Sequence, residues 1–188
     1  MRWSERAPRV FISSHWDSSN PDWFCGAALP GARRSALSLG IVSDIISKLK
    51  SPEECAILEK NALDRGNTDL AVQARKRGIE MRAQTHGATT DAERECLAAV
   101  YAYERVLSAQ RHRTTRASRT WQMIKRHGII GAAERAVNRP TETSGYRALV
   151  EMGLEEYAFE AVILRHPQIF SAEAVERSRQ RLSEDTNA

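Results

Sequence analysis

The chain has 188 residues, of which 41% are hydrophobic and 28% charged, with a net charge of +4 and a sequence pI of about 9.2. These are the values of a folded globular chain, and they exclude a disordered or low-complexity protein. No apolar run is long enough to span a bilayer. The three cysteines, Cys25, Cys55 and Cys96, are far apart and form no C-x-x-C pair, so we expect neither a disulfide framework nor a zinc site. This use of cysteine is typical of a reducing compartment, and we expect a cytoplasmic protein.

Residues 1–35 differ from the rest of the chain. They hold three of the four tryptophans and three of the six prolines, and they lack a helical period. His15, Asp17 and Asp22 are residue types that bind metals or catalyse reactions, but polar turn residues explain them as well, and we favour the turns. We expect an irregular, mobile N-terminal arm.

From residue 36 the apolar spacing becomes helical, which predicts an all-α fold: an irregular or orthogonal bundle of about seven to eight helices. The first helix is predicted at 37–49, with a break possible at Gly40. The expected boundaries are an arm at 1–35, a helical domain at 36–182 and a frayed tail at 183–188, with longer helices at 36–110, a basic segment at 111–139 and short helices at 140–182.

Two helices joined at a glycine are predicted next, at 51–65 and 67–84. Ser51 can cap the first helix, and Glu54 can reach back to complete a capping box. Gly66 ends that helix because a left-handed residue costs little only for glycine. The pair is therefore an αα-hairpin.

This hairpin carries a family resemblance. The stretch RGNTDLAVQARKRGIE at 65–80 resembles the turn and second helix of a tetratricopeptide repeat, and the small residues at 71, 74 and 78 would let the paired helix approach closely. Glu59 departs from the pattern, and only one copy, at 51–87, is present. Because solenoids need at least about three repeats, the resemblance implies a repeat-like hairpin rather than a peptide-binding array. The apolar or small positions that match are Leu58, Ala62, Gly66, Ala71 and Gly78.

A further helix is predicted after Thr90, which forms a capping box with Glu93. Tyr101 and Tyr103 could stack on bases, but we favour Tyr103 in the core and Tyr101 half exposed. The predicted buried stripe is Cys96, Ala99, Val100, Tyr103, Val106 and Leu107, with Arg94, Tyr101 and Arg105 on the opposite face.

The positive charge of the chain is concentrated in one segment. Residues 111–139 contain eight Lys or Arg and one acid, Glu134, a net charge of +7, so the remainder of the chain is net negative. A localised positive field favours a polyanion, either nucleic acid (DNA or RNA) or an acidic protein surface.

The spacing within this segment predicts a solvated connection at 109–116, then a helix capped by Ser118 or Thr115 and ended by Gly128. Trp121 points toward the core, and cations line the opposite side at helical spacing. Guanidinium forks on a rigid helix suit phosphate oxygens. The predicted nucleic-acid-binding residues are Arg111, Arg113, Arg116, Arg119, Gln122, Lys125 and Arg126.

A helix-turn-helix also fits Gly128 and Ile129, but Glu134 stands where that motif buries a branched apolar residue, so we do not assign it. Short helices then follow: one to about Asn138, one capped by Thr141 or Thr143, one over 155–165, and one capped by Ser171 that ends near residue 182. This C-terminal series of short helices with tight stops between them resembles that of uncharacterised bacterial proteins, but it matches the motif of no particular family.

Motifs of nucleotide-binding enzymes, serine hydrolases and zinc proteases do not occur in the sequence. We therefore predict a protein with no catalytic residues, metal or cofactor. The leading hypothesis is a nucleic-acid-binding or regulatory protein. The alternatives are a protein-interaction module built on the hairpin, or a basic face that is merely solvated.

Overall fold

A computed structural model describes residues 43–139 and 145–186 of the chain. Every regular element within those residues is helical, which confirms the predicted all-α class. The predictions for 1–35, Gly40, Thr141 and Thr143 fall outside the described residues. The elements are α1 (43–47), α2 (Pro52–Asp64), α3 (Thr68–Gln84), α4 (Asp91–Arg111), α5 (Ser118–Val137), α6 (Gly145–Glu151), a 3-10 helix η1 (Glu155–Tyr157), α7 (Phe159–Arg165) and α8 (Ala172–Thr186).

Helices α2 and α3 form the predicted hairpin, and small residues set their separation. Ala71 and Ala74 are fully buried, and a Cβ added at Gly78 would lie 3.1 Å from Cys55 Cβ. The close approach predicted from residues 71, 74 and 78 is thus present. A Cβ at position 78 would crowd Cys55 of α2.

The helix starts of this region follow local sequence rules. Ser51 Oγ accepts a hydrogen bond from Glu54 N–H, and Glu54 Oε2 accepts one from Lys50 N–H, one residue before the cap. Thr90 and Glu93 form the full reciprocal capping box at the start of α4. These caps were predictable because each involves residues within one helical turn.

Helix α4 is the centre of the described bundle, because α3, α5, α6, η1 and α7 all pack against it. The prediction of one buried stripe on α4 is incomplete. Leu97, Ala98 and Ala102 lie near the face that we expected to be exposed, and they are buried in a core cluster with α3 and α6. Cys96 and Ala99 face a second cluster with α5, α7 and α8.

The C-terminal helices differ from their predicted bounds. The helix predicted over 155–165 is split, because Ala158 is extended (ψ 143°) between η1 and α7. Helix α8 begins with the predicted cap, Ser171 Oγ accepting from Ala174 N–H, but it continues to Thr186 rather than ending near 182. Phe170 and Val175, on either side of this cap, are buried in the same cluster.

Candidate nucleic-acid interface

The seven predicted binding residues are all exposed. They come from the last turn of α4, from the connection at 112–117 and from the first half of α5. We call this set the cationic face. Its members are Arg111, Arg113, Arg116, Arg119, Gln122, Lys125 and Arg126.

The connection that carries part of this face is shorter than predicted. Helix α4 continues to Arg111, so residues 109–111 are helical, and His112 ends the helix with a left-handed φ of 51°. Ser108 Oγ accepts a hydrogen bond of 2.9 Å from Thr115 N–H, which joins the far end of the connection to α4. The arginines of the connection are therefore carried by a short, tethered loop.

The predicted cap of α5 is wrong. Ala117 precedes the first turn, and neither Ser118 nor Thr115 caps it with a side chain. Instead, Glu104 of α4 holds the start of the helix from outside, because its Oε1 accepts from the N–H of the N-cap residue Ala117 at 2.9 Å and from Trp121 Nε1–H at 2.7 Å. The sequence did not predict this role for Glu104. Ala117 and Trp121 lie 13 and 17 positions after it, and no local motif joins residues that far apart.

Trp121 anchors the helix through polar as well as apolar contacts. The indole is half-buried against the first core cluster, with its ring centroid 5.6 Å from that of Tyr101 and 4.6 Å from that of His86. The Arg116 guanidinium lies 5.3 Å from the indole centroid, within cation–π distance. The indole thus has the anchoring position that we predicted, but it is not sunk fully into the core.

The cations of the face keep their charge uncompensated by the described part of the chain. None of the six forms an ion pair with a described carboxylate. The acids engage other bases instead: Glu59 pairs with Arg75 and Arg105, Glu95 with Arg165, and Glu160 with Arg181. The positive potential of the face is therefore directed to solvent.

Gly128 ends the straight part of α5. Its φ of 74° and ψ of 174° interrupt the helix, which resumes at Ile129. The predicted stop is thus present as a kink between two helical halves. Glu134, in the second half, accepts a hydrogen bond of 2.6 Å from Ser171 N–H and so ties α5 to the start of α8. Position 134, where a helix-turn-helix would bury an apolar side chain, thus holds a carboxylate that bonds to the start of α8.

Cysteine is one of the residue types that act as nucleophiles, and Cys96 of α4 is buried in the second core cluster. Burial raises the pKa of the Cys96 thiol to about 12, so the thiol stays protonated and is a poor nucleophile. Among residues 43–139 and 145–186, no group of three or more His, Cys, Asp or Glu side chains is placed to hold a metal ion.

No protein-family model, curated protein or solved structure matches this chain. Within the described residues, no helix combines the length and the apolar character needed to cross a bilayer.

Proposed function

We propose that this protein binds nucleic acid through the cationic face, with a binding or regulatory role rather than a catalytic one. The observation that carries the proposal is that six exposed cations, on the last turn of α4, the tethered loop and the first half of α5, have no carboxylate partner among the described residues. A cluster of uncompensated positive charges on one face favours contacts with phosphates.

The chemistry of binding follows from the side chains. Arginine forks grip two phosphate oxygens, and Gln122 supplies an amide for a base or a sugar. Glu104 holds Trp121 and the start of α5, so the cations need little reorganisation on binding. If all six cations contact phosphates of a duplex, the logarithm of the binding constant falls with the logarithm of the salt concentration with a slope of about −5.

The test is a charge reversal on the face. Arg119→Glu combined with Arg126→Glu should weaken binding of a labelled oligonucleotide by at least about tenfold at moderate salt and flatten the salt dependence. The matched control is Lys60→Glu with Arg65→Glu, which makes the same charge change on exposed residues at the end of α2. Equal losses in the two double variants, or a salt-independent affinity, would contradict the proposal.

The hairpin supports a second candidate, a protein-interaction module. The cavity at the hairpin, lined by α2, α3 and α4, has a volume of only about 20 Å³, which is room for about one water, so a partner would have to use the outer side of α2. Ile57 and Leu63 are exposed there, by 62% and 48%. A partner that stays bound after nuclease treatment, and is lost with Ile57→Lys but not with Arg119→Glu, would favour this function over nucleic-acid binding.

A further inference from the structure

A cavity of about 500 Å³ opens beside the cationic face. Helix α4 and the first half of α5 form one side, and the segment from α6 to α7 forms the other. Its volume lies within the range of roughly 300–1,000 Å³ that is usual for small-molecule sites. The cavity is therefore large enough for a nucleotide, whereas the hairpin cavity is not.

The charged groups of the lining favour an anion. Arg111, Arg116 and Arg119, three members of the cationic face, line the cavity. Arg139 adds a fourth guanidinium. The carboxylate in the lining, Glu160, accepts a hydrogen bond of 3.0 Å from Arg181, and both side chains are nearly buried. Because Glu160 is already neutralised, it leaves the positive field of the four arginines intact.

The other part of the lining is aromatic and apolar. Tyr103, Tyr146 and Phe159 contribute half-buried rings, and Met123 adds a polarisable thioether. Aromatic rings bind the flat face of a nucleobase by stacking, and that face is accessible only when the base is unpaired. A duplex can place its phosphates on the cationic face, but its paired bases cannot enter a cavity of this kind.

We infer that the cavity receives one unpaired nucleotide of a single-stranded nucleic acid, with the base against the ring of Tyr103 and the phosphate on Arg111, Arg116 or Arg119. This inference rests on the proposed function and narrows it to single strands. RNA and DNA share the base and the phosphate, so either source supplies this chemistry.

The experiment measures binding of the full chain to a short labelled oligonucleotide by fluorescence anisotropy, with one sequence prepared as single-stranded RNA, single-stranded DNA and the duplex of each. Tyr103→Leu removes a ring while keeping an apolar side chain, and it should lower single-strand affinity by at least about 5-fold, since base–aromatic stacking is worth at least that factor. Duplex affinity should not change. The matched control is Phe170→Leu, which removes a ring from the second core cluster, outside the lining of this cavity and away from the Trp121 anchor.

The outcomes separate this inference from the proposed function. If single strands and duplexes bind alike, or if Tyr103→Leu has no more effect than Phe170→Leu, the cavity inference is overturned, while charge reversal on the face still tests the broader proposal. If no oligonucleotide binds, both are overturned. A difference between the RNA and DNA arms identifies the source of the nucleotide.

A second measurement does not depend on the stability of a variant. A nucleoside monophosphate at millimolar concentration should displace the single strand from the unaltered protein, while the same concentration of inorganic phosphate should displace it less. Equal displacement by the two compounds would show that only charge is recognised, and it would overturn the cavity inference.

Discussion

The indole nitrogen of Trp121 donates a hydrogen bond of 2.7 Å to Oε1 of Glu104, one helix earlier in the chain. The same oxygen accepts from Ala117 N–H at 2.9 Å, so a single carboxylate fastens both the first turn of α5 and its aromatic anchor to α4. Accepting the N–H of the N-cap residue is the role of a local glutamate in a capping box, and here an acid of the preceding helix fills it. Glu104 thereby sets the position of the cationic face relative to α4.

Removing this acceptor should destabilise the protein. We expect Glu104→Ala to lower the free energy of unfolding by about 1–3 kcal/mol, because it leaves two part-buried N–H donors without their partner. Urea denaturation followed by circular dichroism measures the change. Glu151→Ala, at an exposed position in α6, is the control. Equal stability of the two variants would show that Glu104 is dispensable for the start of α5.

Two glycines of α5 should respond in opposite ways to alanine. Gly128 has a φ of 74° and a ψ of 174°, a conformation that is nearly restricted to glycine, so Gly128→Ala should cost about 1–3 kcal/mol. Gly131 lies in the helical half, where a Cβ would be 3.4 Å from His127 Cβ. Gly131→Ala should therefore be neutral or stabilising by up to about 1 kcal/mol. Thermal unfolding measures the stability of both variants. If Gly131→Ala were less stable than Gly128→Ala, α5 would be straight at Gly128.

The effects of substituting Glu59 and Arg75, the buried ion pair of the hairpin, on the free energy of unfolding should be strongly coupled. Glu59 and Arg75 have side chains that are each 9% exposed, with their Oε1 and Nε atoms 2.8 Å apart. We expect Glu59→Gln to destabilise the protein by about 3–5 kcal/mol, because it leaves the Arg75 charge buried without its carboxylate. Glu59→Leu combined with Arg75→Leu should recover part of that loss.

An exposed ion pair gives a reference value for the stability that the buried pair contributes. Asp44 and Lys48 form an exposed ion pair, and Asp44→Asn should cost no more than about 1 kcal/mol. Chemical denaturation of the single and double variants yields the coupling energy. Additive effects at Glu59 and Arg75 would be incompatible with a desolvated pair.

Glu95 should make stability depend on acid pH. Burial alone would raise the pKa of Glu95, but the neighbouring His166 and Arg165 outweigh it and lower the pKa below the ordinary 4.5. A carboxyl whose pKa is depressed by folding stabilises the protein above its unfolded pKa, and this contribution is lost as the pH falls through the folded pKa. We therefore expect wild type and Glu95→Gln to differ most near neutral pH and to converge in acid.

The measurement is the free energy of unfolding in urea at a series of pH values from neutral to acidic. Glu151→Gln, at an exposed carboxyl outside this cluster, should keep the loss of stability in acid that Glu95→Gln reduces. A constant difference between wild type and Glu95→Gln at every pH would assign the role of Glu95 to packing.

The exposure of the cationic face was predictable from residue spacing. Arg119, Gln122 and Arg126 share one side of a helix whose other side carries Trp121, and the structure places them in that way. The split of the helix predicted over 155–165 was not predictable, because Ala158 leaves the helical conformation where the chain packs against α4.

The sequence by itself determined the helices, most of their starts and stops, and the side of α5 that carries charge, because each depends on residues within about one turn of one another. Only the tertiary structure decided that Glu104 holds the start of α5, that α4 is buried on two sides, that Glu59 meets Arg75 and Arg105, and that three arginines of the face open onto a cavity with aromatic rings. Those relationships join residues far apart in the chain, and their pairing depends on how the helices pack.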